Sequence, residues 1–329
     1  MKSSRLPQVL ALSLLGLAAS AAQAAGQPLL SVGGLPGTPG YTHTYGGQAY
    51  DGNNRYNPQP GKVLQMSWLR DPTSTTGFVS AELGRLRVAE FGAGRATQEN
   101  GTRFGIGGSL RQASFEDKLS LQGAALSRDT VMRIDYHFGG RAGGRIETNA
   151  EQGNSLNILA EMIMIVGSQG LRATERTWGD QNVSNDRQQR TLLASNGIFD
   201  VSATGFSMKL GTVSPFSGTY EFDLDWSLSV QAQCLFDLSP VHPSLPAAVG
   251  GCSYSADYGN TASFMGLSLY DGVSGALLDP AGYSLRSASG FDYAQGFGNT
   301  APVPEPQSWA LLALGLTLLS WRRVSLGRA

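Results

Sequence analysis

Between Tyr220 and Cys234 the chain alternates without a break. Phe222, Leu224, Trp226, Leu228, Val230, Ala232 and Cys234 take every second place, and Glu221, Asp223, Asp225, Ser227, Ser229, Gln231 and Gln233 fill the gaps. Successive side chains of a strand point to opposite sides, so this period predicts a long strand with one face in a core and one in water. It also places Cys234 on the core side.

Weaker versions of the pattern recur. Val63–Arg70 predicts a strand with Leu64, Met66 and Trp68 on one face, and Phe78–Phe91 predicts one or two more, broken near Gly84. Arg103–Arg111, Ser120–Ser127 and Val131–Phe138 follow, the last with Met132, Ile134, Tyr136 and Phe138 facing in. The glycines of segment 139–144 read as a flexible turn. Asn157–Val166 is almost wholly apolar, which fits a strand buried on both faces or a short helix; its Ile content favours the strand. Arg172–Arg190 is polar and reads as a loop or a ragged hairpin. Phe199, Val201 and Ala203 share one parity and Phe206, Met208 and Leu210 the other, which predicts a β-bulge at Thr204-Gly205. Thr261–Asp271 and Ala276–Leu278 read as a hairpin, Tyr283–Ala288 as a last strand, and Gly290–Pro302 as a spacer. Residues 25–61 read as an irregular arm, rich in Gly and Pro and dotted with Tyr41, Tyr45, Tyr50 and Tyr56. Many short strands, frequent turns and 43 glycines predict an all-β fold, an antiparallel β-sandwich with a jelly-roll-like arrangement as one form of it.

The two ends carry different information. Lys2 and Arg5, an apolar stretch over Leu6–Ala19, and the small residues Ala22 and Ala24 before Ala25 form a secretory signal peptide over residues 1–24, removed by signal peptidase. At the other end, Pro304-Glu305-Pro306 precedes an uncharged run, Trp309–Trp321, and then Arg322-Arg323. The prolines keep their segment extended and exposed. The run makes a helix about 20 Å long, short against a hydrocarbon core of about 30 Å, with snorkelling arginines to extend its reach. The cationic end stays in the cytoplasm and leaves the body outside. On the residues alone, an uncut C-terminal membrane anchor also fits.

The order Pro-Glu-Pro, short apolar helix, arginine cluster resembles the PEP-CTERM sorting signal, over about residues 302–329. The resemblance implies export by a Gram-negative bacterium that makes extracellular polysaccharide. It also implies recognition of Pro304-Glu305-Pro306 by exosortase, a membrane protease-transpeptidase that replaces the tail. The expected route is an inner-membrane intermediate held by helix 309–321, then the cell surface or the extracellular matrix. The exported body then spans residues 25–301.

Charge and cysteines fit this route. The chain has 24 basic and 25 acidic residues; five of the basic ones and one acid lie in the terminal segments, which leaves the body at −5. That balance gives no basic footprint for nucleic acid. Cys234 and Cys252 are the sole cysteines, and in an exported chain such a pair reads as a disulfide. Closing a loop of this size is worth roughly 3 kcal/mol.

No catalytic signature appears: there is no Gly-x-Ser-x-Gly, His-Glu-x-x-His, phosphate-binding loop or EF-hand loop. His43, His137 and His242 are far apart in sequence, and no cofactor is expected. Glu221, Asp223 and Asp225 share one strand face about 6.6 Å apart. A solvated face with cross-strand Arg or Lys partners accounts for them, and a Ca²⁺ site is the alternative. The expectation is a non-enzymatic protein of the exopolysaccharide matrix, structural or adhesive. The alternatives are a carbohydrate-binding module, recognising sugar through exposed aromatics, and a polysaccharide-modifying hydrolase with two convergent carboxylates.

Overall fold

The computed structural model describes residues 28–32, 41–45, 48–49, 55–56, 59, 62–69, 75–97, 103–148, 155–179, 187–212, 215–216, 218–237 and 249–297. The predicted signal peptide with Ala22, Ala24 and Ala25 lies outside these residues. So does the tail, with Pro304, Glu305, Pro306, Arg322, Arg323 and the helix predicted over 309–321.

The described residues form two antiparallel sheets. The first runs in the spatial order β13 (Arg187–Ala194), β12 (Gln169–Gly179), β11 (Ser155–Val166), β17 (Thr219–Asp237), β8 (Arg103–Gln122), β1 (Leu29–Val32) and β4 (Arg55–Tyr56). A short β16 (Pro215–Phe216) adds to β17, and β19 (Ser284–Ser287) adds to β8. The second sheet runs β14 (Ile198–Ser202), β15 (Gly205–Lys209), β9 (Val131–Phe138), β18 (Val249–Tyr270), β7 (Arg85–Thr97), β6 (Thr75–Glu82), β5 (Leu64–Leu69), β2 (Tyr41–Tyr45) and β3 (Gln48–Ala49). Here β10 (Arg141–Thr148) pairs with β18. One hydrophobic cluster draws buried residues from both sheets, as in a β-sandwich.

The predicted alternation of β17 holds from Tyr220 to Cys234, with every apolar side chain buried. At its centre Trp226 meets Phe115 of the same sheet edge-on, ring centroids 5.5 Å apart, and Phe264 of the other sheet at 6.1 Å. Such pairs add to the burial of large apolar surface. β11 is a strand, but only one face is sealed: Leu156, Ile158, Ala160, Met162, Met164 and Val166 are buried, whereas Leu159, Ile163 and Ile165 are half-exposed. Segment 172–190 resolves into the hairpin partners β12 and β13.

Several expectations are corrected. The arm predicted as irregular over 25–61 contributes β1 to β4, whose backbones complete sheet edges despite their turn-rich composition. The strand predicted over 103–111 continues unbroken to Gln122 as β8 and takes in the start of the one predicted over 120–127, whereas residues 123–127 turn the chain. The parity switch at Thr204-Gly205 is the hairpin turn between β14 and β15; the irregularity lies earlier, between Phe199 and Ser202, where Asp200 has φ 50°. The glycines of 139–144 do not turn the chain, because β9 and β10 follow one course along β18. A Cβ on Gly140 would sit 2.4 Å from the Tyr258 ring, and one on Gly144 would sit 2.7 Å from Leu156. These glycines serve close approach rather than flexibility. Gly250 and Gly251, at the end of the cysteine loop, likewise lie within β18.

Candidate functional site

The inward face of β18 ties the two sheets together at every second or fourth residue. Cys252 forms a disulfide with Cys234 of β17, Cα atoms 6.5 Å apart, so the staple runs from one sheet to the other. Two residues on, the Tyr254 hydroxyl donates to Glu90 Oε1 at 2.6 Å. Arg111 of the opposite sheet donates from Nε to Glu90 Oε2 at 2.9 Å and from Nη2 to Thr75 Oγ1 at 3.3 Å. Glu90 is fully buried and Arg111 nearly so. A charge out of water is tolerated only when paired and hydrogen-bonded, and this network supplies both. Gly92 and Gly107 make room for it, since a Cβ on either would lie 2.3 Å from Tyr254. Further along, Tyr258 hydrogen-bonds Glu175 of β12, and burial beside that carboxylate pushes its hydroxyl well above the usual tyrosine range. Arg190 donates to Glu175 and, at 2.9 Å, to the Phe138 carbonyl.

The C-terminal part of the body closes the same core. Where β7 begins at Arg85, the remainder of β18 has no strand on that side, and segment 291–297 lies along it. Leu267 N–H donates to the Tyr293 carbonyl at 2.8 Å, and Phe297 N–H to the Phe264 carbonyl at 2.6 Å. Just before, β19 and Ala288 pair with β8 of the first sheet. Residues 284–297 thus form a strap across both sheets.

Asp117 of β8 is its anchor. This buried carboxylate accepts from the Tyr293 hydroxyl at 2.8 Å, Ser289 N–H at 3.2 Å, Lys118 N–H at 2.8 Å and the Ser289 hydroxyl. Four neutral donors replace the water it loses. Tyr293 is itself buried and packs edge-on against Phe264 at 5.0 Å and Phe291 at 4.8 Å. Gly84, with φ 77°, leaves the space the Phe291 ring fills, and Gly296, with φ 63°, lies against the Met265 backbone. Arg85 stands 4.0 Å over the Phe297 ring. The sequence reads this segment as a spacer from Gly290 onward; the structure holds it as far as Phe297.

The acidic face of β17 is less organised. Glu221 pairs with Lys118 of β8 at 2.9 Å, the cross-strand partner expected of a solvated face. Asp223 stands opposite Lys118, and Asp225 opposite Glu116. Burial, then the nearby Glu116 and Asp223 charges, push the Asp225 carboxyl up to about 6. Among the described residues no three His, Cys, Asp or Glu side chains gather as metal ligands would. Of the histidines, His43 lies on β2 and His137 on β9, with four strands between them; His242 lies outside the described residues. Tyr136, Tyr220, Tyr254, Tyr258, Tyr293 and Trp226 are buried, whereas Trp178, Tyr270 and Tyr283 are partly exposed. The exposed large apolar side chains Phe91, Leu110, Leu193, Phe199, Met265, Val273 and Leu277 belong to six separate strands and loops.

Beyond the strap, residues 302–324 match a family model described as the PEP-CTERM protein-sorting motif. The chain carries a PEP-CTERM sorting motif. That motif supports export and membrane-associated sorting of the exosortase type, and it begins five residues after the strap's last described residue. No curated protein matches the chain. Among solved structures it is similar to the VP2 subviral particle of infectious bursal disease virus, at 14% identity over 72% of this chain and 68% of that one, TM-score 0.10. It is also similar to the structure of the Gt strain of that virus, at 12% identity over 72% and 67%, TM-score 0.11. At such TM-scores neither likeness carries an argument about the body. Among the described residues no helix is long and apolar enough to cross a membrane.

Proposed function

We propose that this PEP-CTERM chain is an exported β-sandwich, delivered to the surface or the extracellular polysaccharide matrix of a Gram-negative bacterium, where it is structural or adhesive. The observation that carries the reading is the sorting motif over residues 302–324. Two features support it. The core is held by a cross-sheet disulfide, a bond that persists outside the cytoplasm. The large aromatic residues of the described body are mostly spent on packing rather than displayed, which suits a scaffold. In this reading signal peptidase and an exosortase-like enzyme are the processing partners, polysaccharide is the neighbour, and no cofactor takes part.

Cell fractionation tests it, with the native chain beside a Pro304-Glu305-Pro306→Ala-Ala-Ala variant. The native protein is expected in the matrix or surface fraction and the variant in the inner membrane. Equal distribution of both would remove the sorting reading. Co-sedimentation of the purified body with the organism's own exopolysaccharide separates adhesive from purely structural roles.

A further inference from the structure

We propose that the outer face of the second sheet, centred on Phe91, is a platform for an anionic polysaccharide: one sugar ring packs on the Phe91 ring while Arg95 and Arg141 take acidic groups on its neighbours. The proposal rests on the adhesive form of the reading above and gives it a site and a class of glycan.

The pairing of β10, β18, β7 and β6 fixes what surrounds Phe91. Gly143, Ser255, Phe91 and Thr76 lie in one cross-strand row. Arg145, Ser253 and Ala93 form the outward row on one side, and Arg141, Asp257, Ala89 and Phe78 the row on the other. Phe91 is 40% exposed, and its neighbours in and beside its row are mostly Gly, Ala, Ser and Thr. Gly143 is the informative one. Glycine weakens a strand interior, and neither of the usual reasons for it applies here. Its φ is not in the left-handed region. Gly140 and Gly144 make room for Tyr258 and Leu156, but a Cβ on Gly143 would meet nothing within 4 Å. What its bare backbone does is leave the approach to Phe91 clear, as a strand glycine does where a ligand comes close. An apolar ring face beside the Ser253 and Ser255 hydroxyls matches a pyranose, which has C–H groups on its face and hydroxyls around its edge.

Charge around the ring selects an acidic glycan. The body carries −5 overall, yet this face sets Arg95, Arg141 and Arg145 against Glu147 and Asp257. Arg145 pairs with Glu147 at 3.0 Å. Asp257, across from Arg141, accepts from the Gly259 N–H at 3.0 Å. Arg95 and Arg141 are exposed and form no ion pair among the described residues. Arg95 lies four residues along β7 from Phe91, and Arg141 lies two strands away in the opposite direction, at Cα separations of about 13 and 12 Å. A guanidinium is a rigid fork that fits a carboxylate with two parallel hydrogen bonds. The two forks thus flank the stacked ring and meet carboxylates on the rings before and after it.

The test is affinity electrophoresis of the full-length protein through gels containing polygalacturonate or its carboxyl-reduced, neutral form. The unaltered protein is expected to be retarded by the acidic polymer and much less by the neutral one. Phe91→Ala is expected to weaken that binding about tenfold or more. Gly143→Val puts a side chain beside the ring in space the fold leaves empty, so it is expected to weaken binding as much without lowering the melting temperature. Arg95→Gln with Arg141→Gln is expected to abolish the preference for the acidic polymer. Leu110→Ala, an exposed apolar residue on the other sheet, is expected to change nothing. Full binding by a folded Phe91→Ala or Gly143→Val variant would overturn the platform, and equal retardation by the two polymers would overturn the acidic assignment. A self-association lost in Phe91→Ala, with no polymer binding, would assign the face to a second copy instead. If neither polymer retards the protein but it still co-sediments with the organism's own exopolysaccharide, the platform falls and the adhesive reading stands; if co-sedimentation fails too, both fall.

Discussion

Glu90 and Asp117 show two ways to keep a carboxylate in a sandwich core. Glu90 has a guanidinium and a phenol; Asp117 has four neutral donors. Removing one partner of a buried ion pair leaves the other uncompensated, so Arg111→Met is expected to cost about 3–5 kcal/mol in urea unfolding. Glu90→Gln with Arg111→Met should cost clearly less, because no lone charge remains. Asp225 makes a prediction of opposite kind. Its folded-state carboxyl is raised from 3.8 to about 6, mainly by burial, so folding disfavours its ionised form. Its contribution to stability is therefore present below about pH 4 and is lost as pH rises through 6. Asp225→Asn is expected to raise the melting temperature at pH 7 and to leave it nearly unchanged at pH 4. A variant that melts lower at pH 7 would mean that the carboxylate has a partner worth keeping.

At the scale of elements, β18 is the spine. Its inward positions carry the disulfide, the Tyr254–Glu90 contact and the Tyr258–Glu175 contact. Removing the Cys234–Cys252 bond by Ser substitution is expected to cost about 2–5 kcal/mol, measured by denaturant unfolding under oxidising conditions. Gly140→Ala drives a methyl into the Tyr258 ring and is expected to cost about 1–3 kcal/mol by the same measurement. These elements also show what is legible in sequence. β17 could be read because each inward residue is apolar. β8 could not, because Arg111 and Asp117 take inward places, and their partners lie 21 and 176 positions away along the chain. β10 was hidden for a similar reason. Gly140 just before it and Gly144 within it look like turn residues until Tyr258 and Leu156, which crowd them, are known.

For the whole molecule, the sorting motif and the strap differ in the same way. A motif read by an enzyme in an extended segment is linear, so Pro304-Glu305-Pro306 stands out in sequence. The strap depends on Asp117, Gly84 and Phe264, three distant parts of the chain; in sequence its first part reads as a strand, but from Gly290 onward it looks like a glycine-containing spacer. Together they make one unit: a sandwich stapled between its sheets and closed by segment 284–297, with the sorting motif matched from residue 302 onward. The acidic face of β17 stands apart from that unit, and Lys118 already answers Glu221.

The most direct measurement is the intact mass of the protein recovered from outside the cell. The account predicts a single species that begins at Ala25, retains the strap through Phe297, contains the oxidised cysteine pair, and ends at or near Pro304-Glu305-Pro306 with the apolar tail gone. A species that keeps Trp309–Trp321, or one trimmed back into residues 284–297, would contradict it.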